Sequence, residues 1–442
     1  MKYLYSLIAL LAAATTLHAQ ERWSLRRCIE YAIEHNIDVR RTANATERSA
    51  IEANSAKWAR LPNLNGSANQ SWNWGRTQTA VKNEDTGDYS TVYVNTSSHG
   101  TNFSLGTSVP LFTGFELPHQ VALTRLNLKA ALADLEKAKD DIAIQIASSY
   151  LQALFCLELH QVALQQVSLS RQQYERMTRL AEVGKAAPAE VAQVKATVAQ
   201  DEMNAVQARN DYRLALLDLS QLIELPSPEG FELELPSTDL QLGDLQAPDD
   251  IYATAVVGKP SIQAARYRLD ASHHNIRIAQ SALYPQLTLQ GSIGTNYYST
   301  INRSFNQQMS DNFNKYIGLS LSVPLFNRFQ TRNRIRTARL QQQDYSLQLE
   351  NAKKVLYKEI QQAWYNASAA DSKFQSSRTA TTASMEAFRL MEQKYENGQA
   401  NAVEYNESKQ KLLKSQSDEL RAKYDYLFRR KILDFYQGLE IR

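Results

Sequence analysis

The sequence predicts a mainly α-helical chain with a membrane β-barrel, in which one unit of helix, two strands, long helix and return helix occurs twice. Three observations predict this fold class: a long internal repeat, segments with alternating polar and apolar residues, and two very long stretches without proline. Each copy supplies two strands, so one chain contributes four strands to the barrel. The long helices are predicted to form coiled coils.

The internal repeat covers most of the chain. The tetrapeptide Val-Pro-Leu-Phe at 109–112 recurs 214 positions later at 323–326, and the same offset carries Gly184 onto Gly398. Upstream, an offset of 223 carries Pro62 onto Pro285, so the nine-residue difference lies between Pro62 and Pro110. We therefore expect a first structural repeat at 20–225 and a second at 250–442. The proline-rich segment 226–249 is expected to link them.

The first 19 residues have the pattern of a secretory signal peptide. Lys2 provides the positive charge, an apolar stretch follows, and Leu17-His18-Ala19 forms a small-residue cleavage site. No cysteine follows Ala19 directly, so no lipid anchor is expected there. The rest of the chain has no run of 18 successive apolar residues, and therefore no transmembrane helix is expected.

The composition excludes some partners and scaffolds. The formal net charge is only +3, without a basic cluster typical of nucleic-acid binding. Cys28 and Cys156 are the only cysteines. One disulfide between them is possible, but two small buried residues are favoured, and a disulfide scaffold is excluded.

A helix is expected at the start of each repeat. The first covers about 24–60, with Ser24 as its N-cap, and ends before Pro62. The second covers about 250–283, capped by Asp249 or Asp250, and ends before Pro285.

Strands of about ten residues follow, within about 62–112 and 285–326. In the clearest of them, apolar Phe103, Leu105 and Val109 alternate with polar or small residues. Pro110 and Pro324 are expected at strand ends. The connections at 75–100 and 299–312 are polar and expected to be loops. Aromatic residues near the strand ends fit a membrane barrel, although a soluble sheet half-covered by a helix shows the same alternation.

The longest helices follow the strands. We expect them at about 118–183 and 329–396, with return helices at 188–225 and 400–439 after a glycine turn. At 1.5 Å per residue the first would be roughly 100 Å long. Val121, Leu128, Leu135 and Ile142 recur every seven residues, which is coiled-coil spacing.

Four strands cannot close a membrane barrel, since single-chain barrels use eight or more. An open sheet edge in lipid leaves backbone groups unpaired, each at a cost of several kcal/mol. If these strands lie in a membrane, several chains must therefore share one barrel.

With these features the chain resembles the TolC-like outer-membrane efflux proteins. The features that carry the resemblance are the signal peptide, the duplicated unit, both Val-Pro-Leu-Phe segments, and the turns Glu-Val-Gly-Lys and Glu-Asn-Gly-Gln. The resemblance implies a homotrimer with a shared barrel among outer-membrane lipids and a helical barrel in the periplasm. It also implies two partners, a periplasmic adaptor protein and an inner-membrane pump.

The resemblance further implies site residues. Gly184 and Gly398 would form the turns at the periplasmic tip that contact the adaptor. Glu404, Glu407 and Glu190 would form rings of carboxylates at the entrance, and Tyr395 would help to lock it. The family's partner arginine is replaced by Ala400, which puts the locking bond in doubt. Alternatively, each glutamate is a solvated first-turn carboxylate stabilised by a helix N-terminus.

Enzymatic chemistry is not expected. His273 and His274 are adjacent, so their rings point to different helix faces, and a structural role is favoured over a metal site. No phosphate-binding loop, nucleophile elbow or dinucleotide fingerprint is present, and no cofactor is expected.

The expected function is a passive exit duct for small molecules, serving a tripartite efflux or type I secretion system. A coiled-coil scaffold or adhesion protein without a pore is the alternative, and an exit for polypeptides would share the same fold.

Overall fold

The computed structural model describes residues 22–82, 87–235 and 245–439, so the predicted signal peptide at 1–19 lies outside the described residues. The elements in chain order are helices α1 (Leu25–His35) and α2 (Ile37–Trp58), strands β1 (Asn63–Lys82) and β2 (Tyr89–Thr113), helices α3 (Glu116–Glu182), α4 (Pro188–Leu222), α5 (Pro248–Gly258) and α6 (Pro260–Ser281), strand β3 (Gln286–Tyr298), helix α7 (Phe305–Asp311), strand β4 (Asn314–Ser322), and helices α8 (Gln330–Glu396) and α9 (Ala402–Tyr436).

The helix boundaries recur at the two sequence offsets. Helices α3 and α8 each have 67 residues, and α4 and α9 each have 35. Both pairs begin and end 214 positions apart. Helices α1 and α5 have 11 residues, and α2 and α6 have 22, with boundaries 223 positions apart. The two halves of the chain therefore differ in length only in the part that contains the strands. This part runs from the first residue of β1 or β3 to the start of the long helix that follows.

The chain forms two compact units. The helical unit contains Met1–Glu47, Ala130–Arg266 and Gln348–Arg442, and the sheet unit contains Arg48–Lys129 and Tyr267–Leu347. Each unit takes segments from both halves of the chain. The boundaries of the compact units therefore do not coincide with the boundaries of the sequence repeats.

The helices expected at 24–60 and 250–283 are each divided in two, which the sequence analysis did not predict. Asn36 is extended between α1 and α2, and its side-chain oxygen accepts hydrogen bonds from the backbone N–H of Asp38 (2.9 Å) and Val39 (3.3 Å). Lys259 is extended between α5 and α6 because Pro260 disfavours a helical conformation before it.

One of the expected N-caps is confirmed and the other is wrong. The Ser24 hydroxyl accepts a hydrogen bond from the Arg27 backbone N–H at 3.3 Å. At α5 the N-cap is Ala247 and Pro248 is the first helical residue, so Asp249 and Asp250 lie inside the first turn. There their charges favour the helix N-terminus without capping it.

The four strands form one antiparallel sheet in the order β1-β2-β3-β4. The polar connection expected at 75–100 is wrong, because β1 continues to Lys82 and β2 begins at Tyr89. Pairing of β2 with β3 stops at Gly100. Beyond it, residues 72–82 and 89–99 form a two-stranded extension that we call the ribbon. Its alternating Val, Tyr and Thr residues have high strand propensity, which the polar neighbours obscured.

The second connection, at 299–312, contains the short helix α7, which starts with a capping box between Ser304 and Gln307. The buried Gln308 side chain holds this connection. Its amide nitrogen donates hydrogen bonds to the carbonyl oxygens of Tyr298, Ile301 and Arg303 at 3.0–3.2 Å, so the short hairpin has an ordered end.

Pro110 was expected at a strand end, but it lies inside β2, which continues to Thr113. The register shifts between Pro110 and Phe112, and such an irregularity tolerates a residue without a backbone donor. Pro324 lies just after β4 ends at Ser322, as expected.

The junctions between strand and long helix repeat in detail. Phe115 and Phe329, 214 positions apart, both adopt left-handed backbone conformations, with φ of 68° and 63°. Each contacts an earlier phenylalanine edge to face, Phe115 with Phe112 at 5.2 Å and Phe329 with Phe326 at 5.7 Å. A bulky residue in this conformation is unusual, and an edge-to-face aromatic contact accompanies it at both sharp turns.

The helical unit has an apolar core in which Ile146, Leu154 and Leu219 are fully buried. Both cysteines are buried and free, and burial raises the pKa of Cys28 to about 12. Part of the expected linker also packs here, because the backbone N–H of Trp23 donates to the Glu232 carbonyl oxygen at 2.8 Å.

One 18-residue window within α3 is apolar enough to cross a membrane by length and composition, with a mean hydropathy of 1.4. The window contains polar residues, so it is not an unbroken apolar run of the kind expected for a transmembrane helix. Since 44% of that window is buried within the protein, a core position accounts for it equally well.

Candidate functional site

The strand register divides the sheet into one apolar and one polar face. Residues paired across antiparallel strands place their side chains on the same face. Leu105 pairs with Ile293 and Val109 with Leu289, which in turn pairs with Leu319. The same face carries Leu64, Trp72, Phe103, Leu287, Ile317 and Leu321.

The apolar face is exposed. Ile317 has 84% of its surface accessible and Leu64 has 69%. A large contiguous apolar face on a folded protein marks a surface that contacts a partner or a membrane. On β3 it extends from Leu287 to Tyr297, about 34 Å along the strand and about 26 Å after a typical barrel tilt, which matches the apolar band of a membrane barrel.

The opposite face is polar. Ser67 and Ser104 face each other with their hydroxyl oxygens 2.7 Å apart, and Asn69 pairs with Asn102. Along β3 the same face carries Gln290 and Ser292. This face suits contact with water.

Aromatic residues lie at both ends of the apolar face. Phe112, Phe115 and Tyr284 form edge-to-face contacts where the strands meet the helices. Trp72 and Trp74 lie towards the other end and are 59% and 75% exposed. Aromatic girdles of this kind mark the two interfaces of a membrane barrel.

The helical unit contains the two predicted tip turns, and they have the same geometry. Gly184 and Gly398 have φ of 73° and 72°. After each glycine a backbone N–H donates to a carbonyl oxygen five residues earlier, Lys185 to Leu180 and Gln399 to Lys394, both at 2.8 Å. This is the Schellman arrangement that ends a helix. No heavy atom lies within 4 Å of a built Cβ at either glycine, so backbone conformation rather than space favours glycine.

The three predicted carboxylates lie on the return helices next to these turns. Glu190 and Glu404 are in the first turns of α4 and α9, and Glu407 is one turn further; all three are exposed. Glu404 also has a local role, since its carboxylate accepts the Asn401 backbone N–H at 3.1 Å in a capping box. The structure therefore places all three near the turns and accounts for Glu404 locally.

Tyr395 is half-buried and stacks on Tyr405 with ring centroids 4.7 Å apart. Its hydroxyl lies 3.7 Å from the Met177 sulfur. Burial raises the pKa of Tyr395, and the charge of Glu190 raises it further. Tyr395 thus connects the end of α8 to both α9 and α3.

An arginine that sequence reasoning missed lies beside Tyr395. Arg176 of α3 forms an ion pair with Glu396 at 3.1 Å, and its second guanidinium nitrogen donates to the Glu396 backbone oxygen at 3.1 Å. A cation is favourable at the C-terminus of α8. The family's turn arginine is absent at Ala400, and Arg176 instead joins the two helix hairpins within one chain.

A buried ion pair lies deeper between the hairpins. The Lys409 ammonium nitrogen is 2.6 Å from an Asp201 carboxylate oxygen, and both side chains are only 2% exposed. The Ser170 hydroxyl donates to the same oxygen at 2.7 Å. This arrangement connects α3, α4 and α9.

The sequence contained a signal for this pair. Val194, Asp201, Ala208 and Ala215 recur every seven residues and are all buried, so Asp201 occupies a coiled-coil core position. Lys409 lies between the buried Tyr405 and Leu412 at helical spacing. A charge in an apolar stripe predicts a buried partner, although it does not identify which one.

His274 contacts His119 of α3 rather than its neighbour His273, with the two Nδ1 atoms 3.1 Å apart. Burial lowers the pKa of His119, and the nearby His274 and Arg277 lower it further. Among the described residues, no group of three or more His, Cys, Asp or Glu side chains could hold a metal ion.

Comparison with known proteins relates the sequence to one family. The profile described as "Outer membrane efflux protein" matches residues 28–223 and 251–438. The two matched regions cover both halves of the chain and leave out the whole proline-rich segment 226–249 between them.

Individual relatives are distant. Outer membrane efflux protein BepC of Brucella suis biovar 1 is 22% identical over 321 residues, covering 71% of this chain and 67% of BepC. Outer membrane protein TolC of Escherichia coli K12 is 23% identical over 321 residues, covering 71% of this chain and 65% of TolC. The match thus spans just under two thirds of TolC.

The fold is also shared with solved structures. The Campylobacter jejuni CmeC outer membrane channel has a TM-score of 0.76 at 18% identity, covering 94% of this chain and 86% of CmeC. With both halves matched by the family profile, and with the fold of outer-membrane channels, the chain belongs to the outer membrane efflux protein family and is a channel protein of the outer membrane rather than an enzyme.

Proposed function

We propose that three copies of this chain form one channel, which is a passive exit duct for small molecules. The main support for this proposal is the four-stranded amphipathic sheet, in which β1 and β4 each pair with another strand on one side only. In lipid the free edges need partners. Pairing β4 of one copy with β1 of the next gives a closed barrel of twelve strands, with the polar face towards the lumen.

Exposed apolar residues on α4 support assembly of the helical unit. Met203, Val206, Leu214 and Leu217 are 46–69% exposed and lie three to eight residues apart, on one side of the helix. A stripe of this kind fits the seam of a coiled coil with a helix of the next copy.

We further propose that the Gly184 and Gly398 turns form the tip of the helical part. An adaptor protein of the periplasm would contact these turns, and an inner-membrane pump would deliver the exported compound. Glu190, Glu404 and Glu407 would repeat around the threefold axis and form a constriction that attracts cations. The contacts of Arg176 and Tyr395 with the opposite hairpin support a lock within each chain, in place of the missing arginine at Ala400.

The names of relatives suggest cargo classes. One is called a toxin and drug export protein and another a pyoverdine export protein. We assign small molecules to the present chain because its proposed lumen is lined by small polar side chains, and polypeptide export would require a secretion pump as partner.

Planar-bilayer recording on the detergent-purified assembly tests the proposal. A passive channel gives ohmic, unitary conductance without nucleotide, and crosslinked protein migrates as a trimer. A folded protein that fractionates as a soluble periplasmic monomer would instead support a scaffold without a pore.

A further inference from the structure

The two helix hairpins of one chain meet along a seam that contains three ion pairs. We call α3 with α4 helix hairpin 1, α8 with α9 helix hairpin 2, and their contact the chain seam. Its ion pairs are Asp201 with Lys409, Arg176 with Glu396, and Glu158 with Lys423. Paired charges between packed helices fix the register, because displacement separates each charge from its partner. The two helix hairpins of one chain are therefore held in one register.

The internal repeat provides a second set of the same positions. The offset of 214 relates α3 to α8 and α4 to α9, so each residue of the chain seam has a counterpart in the other half. In a ring of three copies, helix hairpin 2 of one copy lies next to helix hairpin 1 of the following copy. A contact there with the geometry of the chain seam brings the counterparts together. We call this contact, mainly between α8 of one copy and α4 of the next, the copy seam.

The counterparts are less buried in the single chain than the residues of the chain seam. Lys409 is 2% exposed, whereas its counterpart Lys195 is exposed. Ser170 is also 2% exposed, whereas its counterpart Ser384 is half-buried. Equivalent positions thus differ in burial in the way expected if the chain seam is covered within the chain and the copy seam only by another copy.

The buried ion pair is almost complete at the copy seam. In the chain seam it consists of an aspartate, a lysine and a serine hydroxyl, which belong to Asp201, Lys409 and Ser170. The residues 214 positions away are Ser415, Lys195 and Ser384. The lysine and the serine are retained, and only the carboxylate is replaced by a hydroxyl.

The other two ion pairs also lack counterparts of opposite charge. Arg176 and Glu396 correspond to Leu390 and Glu182, and Glu158 and Lys423 correspond to Ser372 and Arg209. None of the three ion pairs is therefore rebuilt at the counterpart positions. Instead, Leu390 is 46% exposed, and α4 carries the exposed apolar stripe described above.

We propose that α8 of one copy packs against α4 of the next at these counterpart positions, and that the channel opens by sliding along this copy seam. The two helix hairpins of each copy move as one body. Apolar packing is non-directional, so it tolerates a shift of register that paired charges resist. Small sliding motions of packed helices are an established way to switch an assembly. This inference rests on the proposed channel of three copies with its entrance at the tip turns.

Chemical crosslinking of the detergent-purified assembly tests the contact. Leu390→Cys combined with Glu182→Cys places two thiols at counterpart positions of the chain-seam pair of Arg176 and Glu396. A short bismaleimide should then link the copies into covalent dimers and trimers on a denaturing gel. Each single-cysteine variant is the control and should remain monomeric, since both native cysteines are buried. A double variant that also remains monomeric would overturn the proposed contact.

Planar-bilayer recording of Ser415→Asp tests the sliding. This variant supplies the missing carboxylate between Ser384 and Lys195 of the next copy, so the copy seam gains the buried ion pair of the chain seam. We expect the open probability to fall several-fold relative to the wild type. Ser415→Asn has the size of the aspartate without its charge, and as the matched control it should open normally. Adding Lys195→Gln to Ser415→Asp removes the partner and should restore opening.

The outcomes separate this inference from the channel on which it rests. Normal opening of Ser415→Asp at normal trimer yield would overturn the sliding, as would persistent closure after Lys195→Gln is added. A wild-type assembly without unitary conductance would instead refute the proposed channel itself.

Discussion

At the residue scale, the most consequential group is the buried pair of Asp201 and Lys409. Taking two charges out of water is expensive, and only a close partner compensates for it. Lys409→Met leaves the Asp201 carboxylate buried with one neutral donor, Ser170. We expect a loss of about 3–5 kcal/mol in the free energy of unfolding, measured by guanidinium unfolding of the detergent-solubilised protein.

Two controls make this prediction specific. Lys195, 214 positions before Lys409, is exposed, so Lys195→Met should change stability by less than about 0.5 kcal/mol. Replacing both buried partners, as Asp201→Leu with Lys409→Met, should recover most of the free energy of unfolding that Lys409→Met alone loses. A Lys409→Met protein as stable as the wild type would show that the pair is not buried in the assembly.

The proposed carboxylate ring also belongs to the residue scale. Glu404→Gln with Glu407→Gln removes both charges and keeps a side-chain oxygen for the capping box of α9. We expect a lower cation preference, seen as a shift of the reversal potential in a salt gradient across a planar bilayer. An unchanged reversal potential at normal conductance would contradict the ring.

Residue roles were only partly predictable from the sequence. The positions of Gly184 and Gly398 followed from the repeat and the absence of other glycines nearby, and both have the backbone conformation that favours glycine. Arg176 was missed because its partner Glu396 lies 220 positions away, and no local pattern indicates such a contact. The capping role of Glu404 could be predicted from the sequence, because Asn401 lies three residues earlier, at the spacing of a capping box.

At the element scale, the register of the sheet makes a sharp prediction. Ile317→Arg places a charge on the apolar face, where arginine costs about 2–4 kcal/mol near the middle of the bilayer. Ser320→Arg, three residues later on the polar face, should be tolerated. Urea-dependent folding into lipid vesicles, followed by heat-modifiable gel migration, distinguishes the two. Equal folding of both variants would mean that the apolar face does not contact lipid.

The long helices give a second prediction at this scale. Ile142 is 7% exposed and lies in the interior of α3. Ile142→Pro removes a backbone hydrogen bond and introduces a clash, at a cost of about 3 kcal/mol or more per chain. The yield of crosslinked trimer should fall strongly, whereas Leu117→Pro in the first turn should have a much smaller effect. Normal trimer yield from Ile142→Pro would contradict a continuous helix.

Element types were largely predictable and their boundaries less so. The long helices have no proline after their first turn, and α3 shows heptad spacing, so the signals for helix are strong over 67 residues. The break at Asn36 was missed because its capping role depends on the local conformation, not on a proline or glycine. The ribbon was not predicted because Asn, Ser and Thr are typical of loops, but they also occur on the water-facing side of strands.

At the scale of the whole molecule, the free edges of the sheet determine the assembly. A single chain offers one edge at β1 and another at β4, and each edge needs a partner in lipid. We expect the detergent-purified protein to sediment as a trimer, and single-particle images to show twelve strands. A folded monomer without detergent would exclude this arrangement.

The unequal hairpins have a consequence for symmetry. In each chain the first hairpin has strands of 20 and 25 residues, whereas the second has strands of 13 and 9. A closed ring of three chains would thus present three tall projections to the exterior, separated by three low ones, so an extracellular binder would encounter strictly threefold spacing. The helices of the two halves are equal in length, so the helical part of such a ring would carry six nearly equivalent turns, and a ring-shaped partner could occupy them with quasi-sixfold geometry.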